Sequence, residues 1–459
     1  MNEQNDDQPI ALEERQQEPD QTRPEFSLPP TDRGKDAWLV LFGTFVIDAF
    51  VWGFPFTSGV FQEFYASEFA DDNASSGVAM IGTVALGVLY LGSPVCLFML
   101  RQWPRHRRKC IMVGFLITAV ALVAASFATR VWQLVLTQGF LYAVGACMMS
   151  YPTMLFLDEW FTHRKGLAFG LAWASTGCSG VAFPLLISWS LTHFSFRITL
   201  RMWVIASMVV LGPVLRFMKP RVPSSTGSAR PSNMPDIRFV VCRPFFPLQL
   251  CSILESLGYF LPGLYLPLYA RSLGFSNEIA TASVVLLNSG AFFGSMVTGF
   301  LVDRWDVTSV MLFSTVGATL SVIFLWGFSG LATVLCLFSW LYGFFAGSFS
   351  STWPGVMRET TQKHHSAEPG LVYAFLVAGR GVGGVVSGPL SEALLKAPPL
   401  TRTFSYGYGK LLPHAAIASG DDIPSNEWTP PLAWVTWPDL TKKQRITHSL
   451  IFTTLSSDH

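Results

Sequence analysis

Residues 160–185, WFTHRKGLAFGLAWASTGCSGVAFPL, decide the fold. A short polar turn carrying Arg164 and Lys165 leads into an apolar run with small residues at Gly166, Ala168, Gly170, Ala172, Ala174, Gly177 and Gly180. That density lets helix backbones approach closely inside a bilayer, where packing rather than hydrophobic collapse joins helices. A near copy follows at an offset of 204 residues: Gly166-Leu167, Ala174, Gly177 and Gly180-Val181 meet Gly370-Leu371, Ala378, Gly381 and Gly384-Val385. Thr176 becomes Arg380 in the copy. The chain therefore reads as two copies of one membrane unit.

The rest of the sequence agrees. Half of the 459 residues are hydrophobic and 13% are charged, where a soluble protein carries roughly a quarter. The net charge of +1 and the lack of a basic tract give no reason to expect nucleic acid. Seven cysteines show no CxxC and no disulfide framework. The histidines lack metal spacing, and no Gly-rich loop carries the Lys-Ser or Lys-Thr of a nucleotide motor. Neither an enzyme, a metal nor an organic cofactor is expected.

Eleven apolar stretches are long enough to span: 37–60, 77–100, 110–129, 131–157, 166–190, 202–218, 245–269, 278–302, 309–328, 330–353 and 370–395. The fold class expected is an all-α polytopic membrane protein built of two pseudo-symmetric helical bundles. Residues 1–36 read as a disordered cytosolic tail, 37–218 as a six-helix bundle, 219–244 as a cytosolic linker, 245–395 as a second bundle and 396–459 as a polar tail. Arg101 to Lys109 alone hold five basic residues on the amino-terminal side, while the opposite loops together hold four. The positive-inside rule then puts the amino terminus in the cytosol. A twelfth span should follow near residue 405. The sequence there is polar instead, and an exon end read through or lost is the expected reason, with a true eleven-span product as the alternative.

The halves correspond elsewhere too. Gly92-Ser93-x-Val95-x-x-Phe98 and Trp103 meet Gly294-Ser295-x-Val297-x-x-Phe300 and Trp305, and Asp48 and Pro55 meet Glu255 and Pro262. The repeats run parallel, as in the two halves of a major facilitator transporter. On these residues the chain resembles the monocarboxylate-transporter-like branch of the major facilitator superfamily, fungal type. The opening span DAWLVLFGTFVIDAFVWGFPFTSGVFQEFY and the segment with Arg164, Lys165, Gly166, Gly170 and Gly177 carry the branch resemblance. Gly299, Asp303 and Arg304 are similar to the superfamily's cytosolic gating motif. Arg101 holds the place of Asp303 in the first half, so that motif stands on one side only. The glycine-rich lead-in is replaced by Arg33-Gly34-Lys35-Asp36, and residues 278–300 contain no basic residue. The resemblance implies secondary active transport of a small organic anion, with symport driven by a proton gradient.

Charges at the bilayer midplane cost roughly 3 kcal/mol and mark function. Asp48, Glu255 and Arg380 qualify. Arg380 is expected to bind the anion through its guanidinium fork, with Asp48 and Glu255 as proton carriers or counter-ions. The competing reading is a buried ion pair holding the two halves together. Asn288 either binds ligand or joins helices. Trp52, Trp173, Trp340, Tyr342 and Trp353 offer stacking surfaces, though single aromatics in a membrane protein are read first as lipid-facing or interfacial. Pro55, Pro262 and Pro354 are expected to bend helices. Asn73-Ala74-Ser75 is a glycosylation sequon in the outer first loop. The expected partners are the lipid bilayer and an organic anion, either a monocarboxylate or an exported fungal metabolite. A monomer in the plasma membrane is expected, with the vacuolar membrane as the alternative. The rival from another class is a non-transporting sensor or an inactive gene product.

Overall fold

The computed structural model describes residues 28–69, 75–222, 236–242, 245–326 and 330–396. Asn73, most of the first tail and residues 397–459 lie outside them. Among the described residues ten helices are long and apolar enough to cross a membrane. We number them with one further 28-residue helix, Phe245–Ser272. They are α1 Lys35–Glu68, α2 Gly77–Gln102, α3 Pro104–Ala125, α4 Val131–Trp160, α5 Lys165–His193 and α6 Phe196–Val214. The second half has α7 Phe245–Ser272, α8 Asn277–Val302, α9 Val307–Leu325, α10 Ala332–Lys363 and α11 Pro369–Lys396. No strand occurs among the described residues.

The helices are apolar on nearly all sides, as a bilayer allows and water does not. Phe42, Leu116, Val209 and Phe324 are among many large apolar side chains left exposed, which suits contact with lipid rather than solvent. Prolines punctuate the longest helices. α1 carries Pro55 and breaks at Thr57, whose N–H and hydroxyl both turn back to the Phe54 carbonyl. α10 breaks at Phe349–Thr352 and restarts with Pro354 in its first turn, where the missing N–H costs nothing. Pro262 lies inside α7. α10 runs on to Lys363, about ten residues beyond the apolar stretch that announced it.

The helix packing repeats the sequence symmetry. α5 packs along α8, and α2 packs along α11. Because α5 corresponds to α11 and α2 to α8, these are one contact seen twice, and together they form the seam between the halves. Small residues make it close. A methyl added to Gly170 would meet the Ser295 carbonyl oxygen at 2.5 Å and the Gly299 Cα at 2.9 Å.

The seam is fastened at the basic end, where α1 begins. Ser93 on α2 donates to the Ala374 carbonyl on α11 at 2.8 Å, and Arg101 pairs with Glu368 at 2.7 Å. One apolar core runs from the first half into Trp353, Tyr373 and Val377 of the second. A separate cluster, with Leu266, Tyr269, Trp326 and Phe338, sits at the far end of the second half. The described conformation is therefore closed across the seam at the basic end.

Candidate functional site

The contacts that close the seam at the basic end follow from helix chemistry. The first N–H groups of α5 have no intrahelical partners and carry the positive end of the helix dipole. Two carboxylates meet them. Asp303, just past α8, accepts from the Gly166 N–H at 2.6 Å and the Leu167 N–H at 2.9 Å. Asp32, ahead of α1, accepts from the N–H groups of Thr162, His163 and Arg164 and from the Thr162 hydroxyl. Asp32 takes a left-handed φ of 58° to do so, a strain of about 1–2 kcal/mol for a residue with a Cβ. Burial pushes its carboxyl up, but the donors outweigh it and hold the group below its ordinary value. For Asp303, burial wins over its two donors and the carboxyl sits above its ordinary value.

Of the three expected gating residues, Gly299 and Asp303 act across the seam. Arg304 instead stacks on Phe300 of its own helix at 4.1 Å. Arg358 takes the cationic place beside Asp303 and donates to the Val302 carbonyl at the end of α8. The symmetry-related contact at the same end inverts the chemistry. Arg101 stands where Asp303 stands in the repeat and grips Glu368, just ahead of α11, with both carboxylate oxygens at 2.7–2.8 Å from Nε. In the signature turn, Lys165 pairs with Asp158, and Arg107 with Glu159 at 2.6 Å.

Toward the middle of the bundle, the charged residues divide. Arg380 on α11 and Glu255 on α7 form an ion pair at 2.7 Å, with side chains 4% and 13% exposed. Both belong to the second half, so the pair does not hold the halves together, as the simplest structural expectation had it. The guanidinium lies over Tyr259 and Phe260 at 5.1 and 5.6 Å from their ring centres. Tyr90 comes in from α2 in the first half and meets Phe260 edge-on at 6.5 Å. Glu255 keeps its second oxygen, Oε1, buried without a protein partner. Asp48 is elsewhere. It is 1% exposed and accepts from the Ser150 hydroxyl at 2.5 Å, with Oδ2 unpartnered. Asn288 is not with Arg380 either. Its amide donates to the Val284 carbonyl on its own helix, and its Oδ1 occupies the space a Gly180 methyl would need. That placement favours the helix-joining role.

The aromatic expectation needs correction. Trp52, Trp173 and Trp353 do not face lipid: they are 1%, 5% and 0% exposed. They join α1, α5 and α10 in one line, with ring centres 5.6 Å apart for Trp52–Trp173 and 5.1 Å for Trp173–Trp353. Tyr90 continues the line from Trp52 at 4.6 Å and leads it to Phe260, over which Arg380 lies. Sequence reasoning did not find Asp32, Arg358, Glu368 or this line. Glu368 had a signal: a cation in the Asp303 position calls for an acid at the start of α11.

A family profile described as Major Facilitator Superfamily matches residues 37–388. The "MFS-type transporter pynF" of Aspergillus niger is 28% identical over 378 residues, covering 81% of this chain and 84% of that one. The "Agnestins efflux protein AgnL12" of Paecilomyces divaricatus is 27% identical, covering 80% and 83%. The "Aspyridones efflux protein apdF" of Emericella nidulans is 26% identical, covering 80% and 74%. Among solved structures, the proton:xylose symporter XylE matches with a TM-score of 0.59 at 12% identity, over 78% of this chain and 88% of that one. The human organic anion transporter MFSD10 matches with a TM-score of 0.56 at 12% identity, over 77% and 93%. At that identity they speak for the fold alone.

Proposed function

The chain belongs to the major facilitator superfamily of membrane transporters, and on that premise we propose that it moves an organic anion by alternating access, with Arg380 as the anion's receptor. The observation that carries this reading is the Arg380–Glu255 pair: a buried guanidinium whose carboxylate partner keeps one oxygen unpartnered. A charge is kept at such depth at a cost that asks for a use. The fork geometry of a guanidinium matches a carboxylate on a cargo as well as one on the protein. An arriving anion replaces Glu255 at the guanidinium. Glu255 then stands beside a second negative charge in a low-dielectric site and takes up a proton. One anion and one proton travel together, and Arg380, Glu255 and the anion sum to zero charge in the loaded site.

The excess of basic residues at the closed end supports a cytosolic placement for that end. The chain in this state would receive cargo from the far side or release it there. The printed names of the relatives support export, and with it a plasma-membrane address, over uptake of a nutrient monocarboxylate. Benzoate is a suitable first probe, because its charge is a single carboxylate. Calorimetry on the purified full-length protein should show saturable benzoate binding that Arg380→Gln removes while the protein stays monodisperse. Undiminished binding in that variant would refute the receptor role.

A further inference from the structure

The three buried tryptophans share a second property. The indole Nε1 of Trp52, of Trp173 and of Trp353 each lies buried without an acceptor in the protein. Indole N–H groups usually find partners when buried, and one orphan needs little explanation. Three on touching rings do. Asp48, one helical turn before Trp52, adds the unpartnered Oδ2. Buried hydroxyls such as those of Thr44, Thr153, Ser283 and Ser339 return to carbonyls of their own helices. Three unsatisfied indole donors thus lie on one aromatic surface, and Tyr90 extends that surface from Trp52 to Phe260, over which Arg380 lies.

The surface also crosses the seam. Trp52 and Trp173 belong to the first half and Trp353 to the second. Trp353 meets Trp173 edge-on, with an angle of 87° between rings, and then Tyr373 at 5.8 Å. A contact of that kind parts when the halves rock, and it then presents ring faces and N–H edges to whatever lies between them. Aliphatic cargo has no use for such a wall. A flat, conjugated molecule bearing carbonyl or hydroxyl oxygens uses both features: the rings for stacking and the N–H groups for its oxygens.

We infer that the cargo is a planar, conjugated organic anion with oxygen acceptors on its ring system, read by Trp52, Trp173 and Trp353. The inference rests on the Arg380 reading of the same site and adds the part of the molecule that the guanidinium does not touch. The test compares two carboxylates of equal charge, 1-hydroxy-2-naphthoate and propanoate. Their binding to the purified full-length protein is followed by calorimetry and by quenching of tryptophan emission. Wild type is compared with Trp173→Phe, Trp353→Phe and Arg380→Gln. Phenylalanine keeps one aromatic ring and removes the indole N–H, and each variant is compared with wild type only as a monodisperse protein.

The naphthoate should bind at least about tenfold tighter than propanoate and quench the emission. Each Trp→Phe change should weaken the naphthoate about threefold to tenfold, the worth of one neutral hydrogen bond, and leave propanoate unchanged. Equal affinity for the two acids, each lost in Arg380→Gln, would overturn the inference and leave the anion receptor standing. Tight naphthoate binding that neither Trp→Phe change weakens would overturn it as well. Binding of neither acid would overturn both readings.

Discussion

Gly170→Ala probes the seam with a single methyl. The added Cβ would lie 2.5 Å from the Ser295 carbonyl oxygen and 2.9 Å from the Gly299 Cα, where ordinary contact begins at 3.4 Å. Both neighbours are backbone, so no side chain can swing aside. α5 and α8 must part by about 1 Å along this crossing, which a close-packed interior resists. Overpacking of this kind costs about 1–3 kcal/mol. That cost falls on the conformation closed at the basic end and shifts its balance with the open one by about 5–150-fold. Spin labels at Arg108 and Thr308, both exposed and on opposite halves at that end, report the balance through their distance distribution. The short-distance population of the wild type should give way to a longer one. An unchanged distribution, with the variant as stable as wild type, would refute the claim that this glycine crossing sets the closure.

Further predictions concern charge. If the anion displaces Glu255, binding takes up one proton, and benzoate affinity should fall tenfold per pH unit where the free carboxyl is ionised; Glu255→Gln should flatten that slope, and a persisting slope would place the proton elsewhere. Arg101→Glu and Glu368→Arg should each loosen the gate, and the two together should restore it. Glu368 is 45% exposed, so the coupling in the double-mutant cycle should be only about 0.5–1 kcal/mol. Asp32→Asn should lower stability by about 1 kcal/mol at neutral pH, because the donors around it lose a charged acceptor. The Asp32 carboxyl is held below 3.8, so its contribution is complete above that value and is lost as pH falls through its folded value. The wild-type and D32N proteins should therefore converge in thermal stability as the pH falls through the folded-state value of the Asp32 carboxyl.

The fold was legible because the repeat is written in small residues. Gly166, Gly170 and Gly177 meet backbone of α8 closely enough that a side chain would have to push the helices apart, and they display the seam directly in the sequence. The charged residues were legible for the opposite reason, since a bilayer makes each one conspicuous. Their pairing was not. Glu255 and Asp48 are counterparts in the repeat, yet only Glu255 reaches Arg380, because Thr176 supplies no cation to Asp48 and Ser150 takes that place. The line of tryptophans was hidden as well. A tryptophan in an apolar stretch looks the same whether it faces lipid or a neighbour, and only the assembled helices distinguish the two. Asp32 lay in a polar lead-in that gave no sign of its contact with the start of α5, which comes from chain geometry and a single left-handed residue.

The most direct test is flux of 1-hydroxy-2-naphthoate into proteoliposomes under an imposed pH gradient, with wild type and Arg380→Gln reconstituted at equal density. The account predicts protein-dependent, gradient-driven accumulation by wild type and none by the R380Q protein. Equal accumulation by both proteins, or wild-type flux indifferent to the gradient, would contradict it.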